Sequence, residues 1–187
     1  VSCLTAGSMA GCQELMAAPQ VSLLLATGGP AMVRACYSSG KPAIGVGAGN
    51  GPAYIHPSAD IPHALSCIAK SKNFDYGTIC ASEQSIIVEK SLEKAVLEEG
   101  RRQGFYLMNE EEAAALAKLL FKPNGTLSPD VVGKPAGRLA QMAGFCVPHG
   151  TKILMAREQQ AGPTRPYSME KLCPVLAFFV MENEDAV

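Results

Sequence analysis

Val21-Ser-Leu-Leu-Leu-Ala26 is a short continuous apolar run that ends in Thr27-Gly28-Gly29-Pro30, and Ala31 to Ser39 then has helical spacing up to Gly40. This order predicts strand, glycine turn and helix. Lys41-Pro42 opens a second apolar run, Ala43 to Val46, which leads into Gly47-Ala-Gly-Asn-Gly-Pro52 and an extended Ala53-Tyr-Ile55. Two strands separated by a helix predict a parallel pair with a right-handed crossover. Ser58 or Asp60 can cap a helix from about Ile61 to Ser71, with Ile61, Leu65 and Ile68 on one stripe.

Ser85-Ile-Ile-Val88 has strand character, Ser91 is placed to cap a helix to about Gln103, and Asn109 is placed to cap another. In that second helix Glu110, Glu111 and Glu112 fill the positive first turn, Lys118 and Lys122 favour its end, and Pro123-Asn124-Gly125 stops it. A short helix from Ser128-Pro129, a helix from Ala136 to Ala143 and a strand from Thr151 to Met155 follow. Val175 to Met181 has the pattern of a strand buried on both faces. The alternation gives an α/β class with a mostly parallel sheet. No internal repeat or flexible linker is visible, so a domain boundary falls in the glycine-rich stretch Gly47 to Pro52.

Composition narrows the function classes. Of the 187 residues 48% are apolar and 18% charged, which excludes disorder from low hydrophobicity. Sixteen basic against seventeen acidic residues leave a net charge of -1, so neither nucleic acid nor a membrane surface is an expected partner. No apolar run reaches membrane-spanning length, and no signal peptide is visible. Seven widely spaced cysteines, with no C-x-x-C and no histidine at zinc-finger spacing, predict reduced thiols in a cytoplasmic setting without metal.

Three stretches can carry chemistry. Thr27-Gly28-Gly29-Pro30 sets glycines between a strand and a helix N-terminus, where free N–H groups and the helix dipole can receive a polar group of a dinucleotide. A tight turn with Pro30 at the first helical position is the other reading. Gly45-x-Gly47-x-Gly49 lacks the helix that a dinucleotide fingerprint requires, so it is a close backbone approach to a ligand or a bend between domains. Phe74 to Ser82 places Cys80 between a helix and a strand, three residues after Gly77, where rigid flanks can expose a reactive thiol; a buried spectator is the alternative. The other six cysteines lie in helical or apolar contexts. Pairing Cys80 with His56, His63 or His149 would make a hydrolase-like Cys/His site.

Taken together, Ala26-Thr-Gly-Gly-Pro30, Ser38 to Asn50, Phe74-Asp-Tyr-Gly-Thr-Ile-Cys-Ala-Ser-Glu-Gln84 and Glu170-Lys-Leu-Cys-Pro-Val175 resemble the CoA-acylating aldehyde dehydrogenases. The likeness is closest to the aldehyde dehydrogenase half of bifunctional aldehyde-alcohol dehydrogenases and to related microcompartment enzymes. It runs along the whole chain and covers less than half of a complete family domain. The expectation is therefore a fragment of the three-layer aldehyde dehydrogenase-like fold, with 1–50 as the end of the NAD-binding domain and 51–187 as the catalytic domain.

The resemblance implies a role for each matching residue. Cys80 is the nucleophile that attacks the aldehyde, passing through a thiohemiacetal to a thioester. Its backbone N–H helps hold the oxyanion. Thr27, Gly28 and Gly29 lie along the cofactor NAD, and Glu170 holds the nicotinamide ribose. Val46 stands where hydrolytic relatives carry a glutamate that activates water, and a valine takes no proton, so the thioester waits for the thiol of CoA. The implied reaction is reversible conversion of a short-chain aldehyde, CoA and NAD to acyl-CoA and NADH. A homo-oligomer in the cytoplasm or in a bacterial microcompartment is its expected setting. The rivals are a hydrolytic enzyme releasing the free acid and an inactive folding or assembly unit.

Overall fold

The computed structural model describes residues 3–187, and two units divide between Ala48 and Gly49, each built on parallel strands. In the first unit, helix α1 (Met9–Ala17) is capped by Ser8, whose Oγ accepts the Gly11 N–H at 3.0 Å. Strand β1 (Leu24–Thr27), helix α2 (Pro30–Tyr37) and strand β2 (Ala43–Val46) follow, and the strands pair in parallel with Leu24 opposite Ala43. Leu24, Ala26 and Cys36 form the small core. The Lys41 ammonium donates to the carbonyls of Ala18 and Val21 at 2.5 and 2.7 Å, tying the entry of β2 to the turn before β1. The other face of this ribbon is apolar and open, with Leu25 at 74%, Ile44 at 54% and Val46 at 46% exposure.

The second unit runs β3 (Gly51–Ile55), α3 (Ile61–Asn73), β4 (Glu83–Glu89), α4 (Glu93–Gln103), β5 (Phe105–Leu107), α5 (Glu110–Leu120), α6 (Ala136–Met142), β6 (Ile153–Glu158) and β7 (Val175–Met181). Its five strands lie in the order β3-β4-β7-β6-β5, and every pairing is parallel. Strand alternation divides the core in two. Leu176 and Phe178 of β7, Ile86 and Val88 of β4, and Ile153 and Met155 of β6 pack with Leu65, Ile68 and Val96 of α3 and α4. Val175, Ala177 and Phe179 of β7, with Leu154 and Ala156 of β6, pack with Leu116, Leu120 and Leu139 of α5 and α6. Helices on both faces make the three-layer α/β arrangement, and β7 is central because both of its faces are apolar.

Asp60 caps α3, accepting the His63 N–H at 3.0 Å, and Asn109 with Glu112 forms a reciprocal capping box at α5. Elsewhere the expected boundaries shift. Strand β1 begins at Leu24 and not Val21, and β6 runs from Ile153 to Glu158. Ser91 does not cap α4: a turn off β4, with Leu92 N–H on the Glu89 carbonyl, puts Leu92 at the cap without a side-chain bond. Ser128-Pro129 starts hydrogen-bonded turns and no helix. Helix α1 buries no side chain fully and β5 has three residues, so neither carries a readable period.

Candidate active site

The segment that carries Cys80 is shaped by its backbone. Asp75 (φ 47°), Tyr76 (φ 51°) and Gly77 (φ 77°) follow one another in the left-handed region, which costs a non-glycine residue about 1–2 kcal/mol. Local bonds hold that turn: Thr78 Oγ1 donates to the Asp75 carboxylate at 2.7 Å and to the Asp75 carbonyl at 3.1 Å. Glycine is required at 77 because a Cβ there would lie 2.7 Å from the Cys173 carbonyl carbon. The chain then turns once more, with the Ser82 N–H on the Ile79 carbonyl at 3.1 Å, before entering β4. Cys80 stands exposed in this turn.

Two other loops close on it. The Gly49 N–H donates to Glu170 Oε1 at 2.9 Å, and a Cβ on Gly49 would overlap the Cys80 carbonyl oxygen. Gly49 therefore passes between the cysteine loop and the glutamate loop, so the close approach it makes here is to protein backbone and not to a ligand. Asn50 Nδ2 donates to the Ser168 carbonyl at 2.7 Å, and the Lys171 N–H donates to Gln84 Oε1 at 3.1 Å. The structure thus brings Cys80 and Glu170 together around Gly49, at the amino ends of β4 and β7.

Beneath these loops lie two lysines with no exposed surface, Lys72 and Lys171. The Lys171 ammonium donates to the carbonyls of Tyr167 and Met169 at 2.5 and 2.7 Å, bracing the stretch that presents Glu170. Lys72 Nζ donates to Ser82 Oγ at 3.3 Å. Burial lowers both: Lys72 to about 8, against the favourable charges of Glu83 and Glu170, and Lys171 to about 7, helped down by the like charge of Lys72. The Cys173 thiol, wholly buried beside them, is pushed up to about 12 by burial and is no nucleophile.

Thr27, Gly28 and Gly29 belong to the first unit, at the carboxyl end of β1. No side chain caps α2 at Gly29, and a Cβ there would meet open space. The Gly28 N–H is used by the Val46 carbonyl at 3.1 Å. An open, uncapped helix N-terminus fits a polar or phosphate-bearing group of a dinucleotide.

Among the described residues no histidine is hydrogen-bonded to Cys80. His56 pairs with Ser58 at 2.8 Å, and His63 Nε2 lies 3.6 Å from the Cys67 thiol on the exposed side of α3. Cys3 and Cys146 are exposed in irregular segments, which corrects the expectation that every other cysteine sits in a helix or an apolar setting. A cavity of about 470 Å³ opens around Gly104, Phe105 and Pro148 to Lys152, and neither Cys80 nor Glu170 lines it. No group of metal-ligating side chains occurs among the described residues, and no described helix is long and apolar enough to cross a membrane.

Sequence reasoning did not single out Lys72, Ser82, Gln84 or Lys171. One signal was present. Lys72 follows Leu65 and Ile68 at helical spacing, so it sits on the buried stripe of α3, where a lysine is unexpected. Ser82, Gln84 and Lys171 stand in loop or strand contexts without a readable stripe, and the bond between Gln84 and the Lys171 N–H joins residues far apart in the chain.

The aldehyde dehydrogenase family pattern matches residues 1–103. The bifunctional aldehyde-alcohol dehydrogenase AdhE of Escherichia coli K12 is 48% identical over 174 residues, covering 92% of this chain and 19% of that protein. An acetylating aldehyde dehydrogenase from Geobacillus thermoglucosidasius superposes with a TM-score of 0.93 at 48% identity, over 99% of this chain and 41% of that one. A propionaldehyde dehydrogenase from Rhodopseudomonas palustris, solved with bound CoA and an acylated cysteine, superposes at 0.85 with 30% identity, over 95% of this chain and 40% of that one. The chain thus spans well under half the length of these relatives. A family match over more than half of its residues places the chain in the aldehyde dehydrogenase family.

Proposed function

We propose that the chain carries the acyl-transfer centre of a CoA-acylating aldehyde dehydrogenase, with Cys80 as nucleophile. The observation that carries this reading is the convergence of the exposed Cys80 turn and Glu170 on Gly49. The Cys80 thiolate attacks the aldehyde carbonyl to give a thiohemiacetal, with the Cys80 N–H near the developing oxyanion. NAD, when bound, would supply the hydride acceptor; the Thr27, Gly28 and Gly29 loop would offer N–H groups to it, and Glu170 would accept from its ribose. Glu170 keeps one oxygen on the Gly49 N–H and has the other to accept a hydroxyl.

The thioester left on Cys80 is then attacked by the CoA thiol. Val46, exposed at the end of β2, holds no proton acceptor that could activate water in its place. In this reading residues 1–50 are the end of the NAD-binding domain and 51–187 the catalytic domain, a boundary two residues past the division between Ala48 and Gly49. A short aldehyde as substrate, a homo-oligomeric whole protein and a cytoplasmic or microcompartment setting belong to the same reading.

The test uses the reverse half-reaction, which needs no nicotinamide. Incubated with acetyl-CoA, the chain should gain one acetyl group at Cys80 and release CoA, and Cys80→Ala should gain none there. Thioester exchange with added CoA supports acylation, whereas rapid loss to free acetate favours the hydrolytic rival. No acylation at Cys80 in folded protein removes the catalytic reading and leaves a folding or assembly unit.

A further inference from the structure

Lys72 is buried at the end of α3, yet the chemistry above gives it no task. Its ammonium has three N–H groups, and Ser82 Oγ, a neutral acceptor at 3.3 Å, is the partner the structure gives it. Lys171 differs, since two backbone carbonyls receive its ammonium and explain its burial. An ammonium held by one neutral bond is costly to bury, and a methionine of similar length would avoid that cost. The charged groups around Lys72 are Glu83 at the start of β4, and Glu170 and Lys171 before β7, with the thiol of Cys173 beside them. Glu83 Oε2 is buried without a hydrogen-bond partner, and the Glu83 charge favours the protonated Lys72.

The location of the single bond is informative. Lys72 stands immediately before the segment 73–82 and Ser82 closes it, with Cys80 two residues earlier. The left-handed turn at Asp75, Tyr76 and Gly77 lies between them and packs on the Lys72 and Cys173 carbonyls. We propose that Lys72 is a positioning residue for Cys80: its buried ammonium, donating to Ser82 Oγ, clasps the helix end that opens the cysteine-bearing segment to the residue that closes it, and so fixes the thiol in its reactive setting. The proposal rests on the reading of Cys80 as nucleophile.

Alkylation of the chain by iodoacetamide, mapped by mass, reads the effect, with exposed Cys146 as internal control. Wild-type protein should label Cys80 faster than Cys146. Lys72→Met should slow Cys80 about fivefold and leave Cys146 unchanged, and Lys72→Arg should stay within about twofold of wild type. Ser82→Ala, which removes only the acceptor, should fall between them and decides the matter if Lys72→Met does not fold. The pH profile separates charge from packing. In wild type the Cys80 to Cys146 ratio should decline above about 8 as Lys72 loses its proton, whereas in Lys72→Arg it should hold to about 9.5. If folded Lys72→Met and Ser82→Ala both label Cys80 at the wild-type rate, the proposal fails and the nucleophile stands. If wild-type Cys80 labels no faster than Cys146, both fail.

Discussion

In the first unit the glycine loop Thr27-Gly28-Gly29 follows the carboxyl end of β1, whereas in the second Cys80 and Glu170 stand ahead of the amino ends of β4 and β7. The two ends of a parallel strand offer different materials. A loop leaving a carboxyl end runs into the N-terminus of the next helix, so it presents free N–H groups and a favourable dipole. The Cys80 loop reaches the amino end of β4 from the C-terminus of α3, whose unsatisfied groups are carbonyls, and the Glu170 loop reaches β7 from β6. The first unit therefore offers backbone, and the second has to offer side chains: a thiol, a carboxylate and buried ammonium groups.

The largest expected contrast concerns packing. Phe178→Ala, in the middle of β7 with both neighbours buried, should cost about 3–5 kcal/mol in urea unfolding. Leu25→Ala on the open face of β1 should change stability by no more than about 0.5 kcal/mol. A large loss at Leu25 would mean that the ribbon face is covered in this chain and would end the contrast.

Next come the glycines. Gly49→Ala forces a Cβ onto the Cys80 carbonyl and should destabilise by about 1–3 kcal/mol while abolishing acetyl transfer to Cys80. Gly29→Ser meets open space at a helix cap and should hold or raise stability by about 0.5 kcal/mol. The same serine should weaken NAD binding by the whole protein, measured by titration, because it occupies the approach to the helix end. Equal behaviour of the two substitutions would show that both loops are merely structural.

Asn109→Ala removes one half of the capping box at α5, away from either loop, and should lower stability by about 1 kcal/mol with acetyl transfer unchanged. The remaining contrast is in pH dependence. Lys171 and Lys72 bind their protons less tightly folded, at about 7 and 8, than unfolded, near 10.5. The unfolded chain therefore holds more protons between those values, and stability should rise with pH from about 7 to 9. Above the ordinary thiol range Cys173, raised to about 12, works in the opposite direction. An unfolding midpoint that falls from pH 7 to 9 would mean that the lysines stay charged throughout.

Much of this frame was legible because its signals are local. Apolar runs of strand length and helices with an apolar stripe marked β1, β2, β7 and α3, and Asn109 was legible as the cap of α5 although its reciprocal bond with Glu112 was not. The unread elements, α1 and β5, have either no fully buried face or too few residues. Cys80 was visible as a thiol after Gly77, and Glu170 entered through family resemblance, but neither could be linked to Gly49 by spacing. The bonds that join them cross 121 residues between Gly49 and Glu170 and 87 between Gln84 and Lys171, and only the folded sheet brings such partners into register. Lys72 was the exception, because its place on the stripe with Leu65 and Ile68 was open to reading.

The bare Cα at position 49 also bears on descent. Every amino acid that can replace glycine carries a Cβ, and the oxygen it would strike belongs to the main chain of Cys80, which no mutation removes. A lineage that keeps the thiol in this setting has no neighbouring sequence to drift to at Gly49, whereas Gly29, facing open space, can vary until a ligand forbids it. The two positions would separate ancestry by chemistry from ancestry by fold.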